Sequence, residues 1–152
     1  MMDPNRALTY SDYHCFGDKP AGTSPGKAVH PLFANAPDGL SGDEDNGSMS
    51  AWYLNSAMGF HPLPGTSRIE FGSPLFNKMV IRVPAYRDQP ARSLVISAPN
   101  NSQSNIYVKS ISLNGKPLNK LAASNYGMDQ NQLFANSNHA VLKFDMQEQP
   151  AG

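Results

Sequence analysis

Cysteine is nearly missing from this chain: Cys15 stands alone, so no intrachain disulfide can form. An excess of either charge is missing too. Lys plus Arg and Asp plus Glu number 12 each among 152 residues, a formal net charge of zero. That balance argues against a nucleic-acid partner or a polybasic membrane surface. No apolar run approaches the roughly 20 residues of a membrane span. The opening Met1-Met2-Asp3-Pro4-Asn5-Arg6 lacks the apolar core of a signal peptide. Glutamate is absent before Glu44. The length suits one domain with a modest core or two small halves.

Regular patterning is scarce over the first 36 residues. Pro4, Pro20, Pro25 and Pro31 interrupt them, with Gly17, Gly22 and Gly26 between. Residues 8–16 have near-helical spacing at Leu8, Asp12 and Cys15, and 17–26 read as loop. A poorly ordered N-terminal segment, 1–36, is therefore expected.

From Asp45 the pattern changes. Residues 48–58 contain neither Pro nor Gly and are good helix formers. Met49, Trp52, Tyr53 and Ser56 share one face; Ala51, Leu54 and Met58 share an adjoining one. So wide an apolar arc predicts cover on both sides. Trp52 and Tyr53 read as core residues. Asp45 or Asn46 is the expected N-cap and Gly59 the expected C-terminal stop.

Leu63-Pro64-Gly65-Thr66 reads as a turn and a boundary, and the chain beyond is β-like. Strands are expected at 68–71, 79–83, 93–97, 106–113 and 140–146, five or six short strands in a small sandwich. In 106–113 the alternation places Ile106, Val108, Ser110 and Ser112 opposite Tyr107, Lys109, Ile111 and Leu113. In the last strand Val141, Lys143 and Asp145 oppose Leu142, Phe144 and Met146. Asn114-Gly115 supplies the residues of a type I′ hairpin turn.

Several motifs fail on context. Gly22-Thr23-Ser24-Pro25-Gly26 fits the G-x-S-x-G pattern of serine hydrolases, but the strand and helix that such an elbow needs are not evident around it. Asp43, Asp45 and Gly47 lack the glycine and glutamate positions of an EF-hand loop. His14, His30, His61 and His139 show no ligand spacing and read as ordinary loop or surface residues. Asn46-Gly47-Ser48 and Asn100-Asn101-Ser102 are formal glycosylation sequons. The first lies inside the acidic run; the second lies in a loop.

The run Gly42-Asp43-Glu44-Asp45-Asn46-Gly47 remains. Three adjacent carboxylates repel one another, which a chain tolerates in solvated loops, cation sites and active sites needing a base. One reading is helix capping with favourable placement at the positive end of the helix dipole. The other uses the same backbone N–H groups to keep a carboxylate ionised as a base that activates water. In an extended segment Asp43 and Asp45 point to one side and Glu44 to the other. Residue pattern alone leaves both readings open.

Gly39-Leu40-Ser41-Gly42-Asp43-Glu44-Asp45-Asn46-Gly47-Ser48-Met49-Ser50-Ala51-Trp52-Tyr53, followed by Ser56-Ala57-Met58-Gly59-Phe60-His61-Pro62, resembles the C-terminal signature of glycoside hydrolase family 92. The likeness continues at Gly72-Ser73-Pro74-Leu75-Phe76-Asn77-Lys78, Asn100-Asn101-Ser102, Asn105-Ile106-Tyr107-Val108 and Leu113-Asn114-Gly115-Lys116-Pro117. It covers roughly residues 36–118; residues 1–30 match weakly or not at all. The family comprises calcium-dependent exo-acting α-mannosidases that invert at the anomeric carbon. The resemblance implies an α+β chain: the final helix region of an (α/α)6 barrel at 37–64, then a mostly antiparallel β C-terminal module at 65–152. It implies that Asp43 and Asp45 form the base side of the site, that Ca2+ is a cofactor with ligands unassigned, and that mannose-containing glycans are the substrates. Family enzymes act outside the cytoplasm, secreted or periplasmic. Their general acid is a glutamate in an Asn-Glu-Pro-Ser-His-like segment upstream of the aspartates. No such glutamate precedes Glu44, so the chain is expected to be a C-terminal fragment, inactive alone, whose partner is the missing N-terminal part. The alternative is a non-catalytic module that binds carbohydrate or braces a partner.

Overall fold

A computed structural model describes residue 36 and residues 46–102, 104–118, 120–122 and 125–149. The expected N-terminal segment lies outside these except for Ala36. The described chain runs α1 (Ser48–Met58), β1 (Phe60–Pro62), β2 (Arg68–Phe71), β3 (Lys78–Val83), β4 (Arg92–Ser97), β5 (Tyr107–Leu113), β6 (Lys116–Pro117), β7 (Lys120–Ala122), β8 (Asn125–Asp129), a 3-10 helix (Gln130–Phe134) and β9 (His139–Gln147). Among the described residues α1 is the single α-helix, and the barrel of the expected fold is not shown.

The strands form two sheets, ordered β1-β2-β8-β7 and β3-β4-β9-β5-β6. All pairings are antiparallel except β4 with β9. The turn at 63–66 joins β1 to β2 within one sheet. The sheets share one core because their strands alternate. Ala140, Leu142, Phe144 and Met146 point inward from β9, while Val141, Lys143 and Asp145 point away, as their spacing predicts. Phe71 of β2 lies edge-on to Phe60 of β1 (centroids 5.5 Å apart) and to Phe144 of β9 (6.1 Å), so it spans the two layers. The Tyr126 hydroxyl of β8 donates to the Lys109 carbonyl of β5 (2.9 Å), a polar tie between the layers.

In β5 the simple alternation fails. Val108 and Ile111 are both buried, although an odd spacing should put them on opposite faces. The register against β9 shifts between Val108 and Ser110. One extra residue there turns the remainder of the strand over, so Ile111 reaches the core and Ser110 faces out. The Asn114-Gly115 turn is as predicted, with φ of 49° and 81°. Asn114 also accepts from Val141 N through its side chain and donates its own N–H to Val141 O, both at 2.8 Å.

Candidate functional site

Asp43, Glu44 and Asp45 lie outside the described residues. What is described is the geometry that follows them. Asn46 (φ 56°) and Gly47 (φ 96°) are both left-handed, and Gly47 is the N-cap of α1. The expectation that Asp45 or Asn46 caps the helix is therefore corrected. The cap position belongs to a glycine, which itself offers no side-chain acceptor. Two successive left-handed residues suit this entry because glycine takes a positive φ without strain and asparagine tolerates it. The first turn of α1 carries no acidic residue. The N-cap position itself is neither Asp45 nor Asn46.

The C-terminal end of α1 is fixed tightly. Gly59 (φ 76°) closes the helix and donates to the carbonyls of Asn55 and Ser56, the stop its sequence predicts. A Cβ on Gly59 would lie 2.8 Å from the carbonyl oxygen of Gly72. Leu75 N donates to Ala57 O (2.9 Å), and Gly72 N donates to Gly59 O (3.0 Å). Residues 72–75 thus form a strap across the helix end, with Ser73 and Pro74 fully buried. Asn101, itself buried, donates through Nδ2 to Pro74 O (3.0 Å) and Leu75 O (3.1 Å). The neighbouring Asn100 donates to Met146 O (2.8 Å) and Asp145 Oδ1 (3.2 Å) and accepts from Met146 N (3.2 Å). The loop sequon is therefore occupied by structural bonds. Residue spacing gave no sign of this; the Asn-Asn pair stood out only as a formal sequon and as part of the family likeness.

Cover on both sides of α1 is not found among the described residues. Ser56 and Ala57 are buried, Trp52 and Tyr53 are half-buried, and Leu54 is 55 % exposed. A cleft of about 250 Å³ runs between α1 and β1, lined by Trp52, Asn55, Ser56, Phe60 and His61. The Ser56 hydroxyl is buried there without a hydrogen-bond partner. A second cleft of about 450 Å³ continues from Asn55 and Phe60 towards Arg92, Gln130 and Phe134. The Arg92 guanidinium lies 5.4 Å from the Phe134 ring centroid and donates to Gln89 Oε1 (2.8 Å).

His61 is not the surface residue its spacing suggested. It is buried in β1, and burial pushes its pKa down to about 3, so the ring is neutral near neutral pH. His139 is exposed at the start of β9, its Nδ1 2.6 Å from Ser93 Oγ. His14 and His30 lie outside the described residues. Among the described residues no group of three His, Cys, Asp or Glu could hold a metal. The calcium implied by the resemblance has no donor set there.

Comparison with known proteins places these features in a family. The model of the glycosyl hydrolase family 92 catalytic domain matches residues 6–148. That match takes in the upstream residues the motif likeness left unmatched. A family GH92 α-mannosidase of Bacteroides thetaiotaomicron, solved with mannoimidazole, is 29 % identical, with a TM-score of 0.67 over 83 % of this chain and 15 % of its own. A family GH92 inverting mannosidase of the same species is 31 % identical, with a TM-score of 0.63 over 82 % of this chain and 15 % of its own. A further GH92 glycosyl hydrolase is 28 % identical over 79 % of this chain and 14 % of its own, with a TM-score of 0.62. This chain thus spans about 15 % of the length of the solved enzymes it resembles. No protein of curated function matches it.

Proposed function

The chain belongs to glycosyl hydrolase family 92, and from that premise we propose that it carries the water-activating side of an α-mannosidase site. The observation that carries this reading is a family match over residues 6–148, a range that contains the Gly42 to Gly47 motif. The substrate is terminal α-linked mannose, of α-1,2 linkage, on N-glycan-type oligosaccharides met outside the cytoplasm. One of Asp43 and Asp45 takes a proton from water, and the other orients that water. The water oxygen bonds to the anomeric carbon from the face opposite the leaving group, and the configuration inverts. The leaving oxygen takes its proton from an acid across the bond, the two groups standing about 6.5–9.5 Å apart in inverting enzymes. That acid comes from the remainder of the catalytic domain, since no glutamate precedes Glu44 here. Calcium is part of the family expectation; its ligands are unassigned, and no step here runs through it.

The isolated chain is expected to release no measurable mannose from α-1,2-mannobiose. General acid–base groups typically supply about 10²–10⁴-fold in rate, and the acid is lacking. Mannose release by the purified chain, abolished by Asp45→Ala, would contradict this. The predominance of strands among the described residues favours a second reading, a non-catalytic β-module. A calorimetric titration with mannosides that shows binding without turnover would support it.

A further inference from the structure

We propose that Asn101 is a positioning residue for α1. It holds the 72–75 strap against the end of the helix and joins that strap, through Asn100, to the central strand β9. The bonds form one connected line. Asn100 pairs with both backbone groups of Met146 in β9. Asn101 follows it directly, its N–H tied to Ala98 O (3.0 Å). Its amide nitrogen donates to the consecutive carbonyls of Pro74 and Leu75. The N–H groups of Leu75 and Gly72 then close on Ala57 and Gly59 at the helix end.

Two features mark the amide as chosen for donation rather than packing. Both of its bonds are donated, to carbonyl oxygens that no carboxylate or apolar side chain could satisfy. Its own Oδ1 is buried with no hydrogen-bond partner, a cost the position carries while the donors are kept. The strap leaves no slack, since the Gly72 carbonyl already occupies the space a side chain at Gly59 would need. Asn101 therefore sets where α1 stands on the sandwich. Its bearing on catalysis rests on the reading of Asp43 and Asp45 above, because their motif leads directly into α1; the clamp itself does not.

Amide hydrogen exchange on the full chain tests the clamp without any activity measurement, so its outcome is separable from that of the mannosidase reading. Asn101→Asp keeps the shape and removes the donor. It is expected to speed exchange at Leu75 N–H at least tenfold more than at Ile96 or Leu142 in the core strands. Asn100→Ala is expected to act at Met146 N–H and spare Leu75. Equal acceleration everywhere in Asn101→Asp, or wild-type protection at Leu75, overturns the proposal. Should that variant not fold, the wild-type chain decides. The Asn101 side-chain amide protons and Leu75 N–H must then give one opening free energy, after each rate is divided by its own intrinsic rate, with one denaturant dependence, and separate opening free energies overturn the proposal.

Discussion

His61 makes burial measurable at a single residue. Its ring is buried in β1 and its pKa is lowered to about 3 by desolvation, against about 6.5 in an unfolded chain. Between those values the unfolded chain binds a proton that the folded chain does not. Stability from this residue is therefore full above about pH 6.5 and falls with acid, by up to about 1.4 kcal/mol per pH unit. Thermal melts between pH 7.5 and 5 should show that decline, and His61→Phe should flatten it; a pH-independent Tm in the wild-type chain would count against the buried neutral ring. Asp129 acts in the same sense, although there it is the charged form that folding favours. The Ser67 hydroxyl, and then the Asn131 N–H, hold its carboxyl below the usual range. Its contribution is also lost with acid, but only as pH falls through the carboxylate range and below, beneath the span of those melts. The sequence did not show which histidine was buried. His61-Pro62 beside a glycine looks like loop, and only the pairing of β1 with β2 makes it core.

At the scale of elements, the end of α1 is the most constrained junction. Gly59→Ala places an alanine at φ 76° and its Cβ 2.8 Å from a backbone oxygen. The left-handed backbone alone costs about 1–2 kcal/mol, and the contact adds to it. A loss of at least about 2 kcal/mol in urea unfolding is expected, with Leu75 losing exchange protection; a neutral substitution would contradict the tight strap. Helix α1, its glycine stop and β9 were legible because each rests on local pattern: an unbroken helical stretch, a glycine, a strict alternation. The face of β5 was not, because a bulge is decided by pairing with β9 and leaves no mark on the alternation. Strands β1, β6, β7 and β8 were missed for a related reason. They are two to five residues long, too short to show a period, and exist through their neighbours. The N-cap was misread because Asp and Asn are the usual cap residues, whereas here the chain enters the helix through left-handed Asn46 and Gly47.

At the scale of the whole molecule, the described residues form a two-sheet sandwich that carries one α-helix with a partly exposed outer face. The family was legible in the sequence because long motifs survive at 29–31 % identity. The clamp that fixes the helix was not, because Asn101 and the 72–75 strap meet only in the fold. On the proposed reading the chain holds one side of a two-sided reaction, and its match covers 15 % of the solved enzyme. The most direct measurement is therefore made in a chimera, with residues 6–148 replacing the matching part of the solved Bacteroides thetaiotaomicron α-mannosidase. NMR of the released sugar should show β-mannose first from an α-linked substrate. Asp43→Asn and Asp45→Asn should each cut the rate at least about 10²-fold. A chimera that releases mannose undiminished in both variants would show that these aspartates are not the base side of the site.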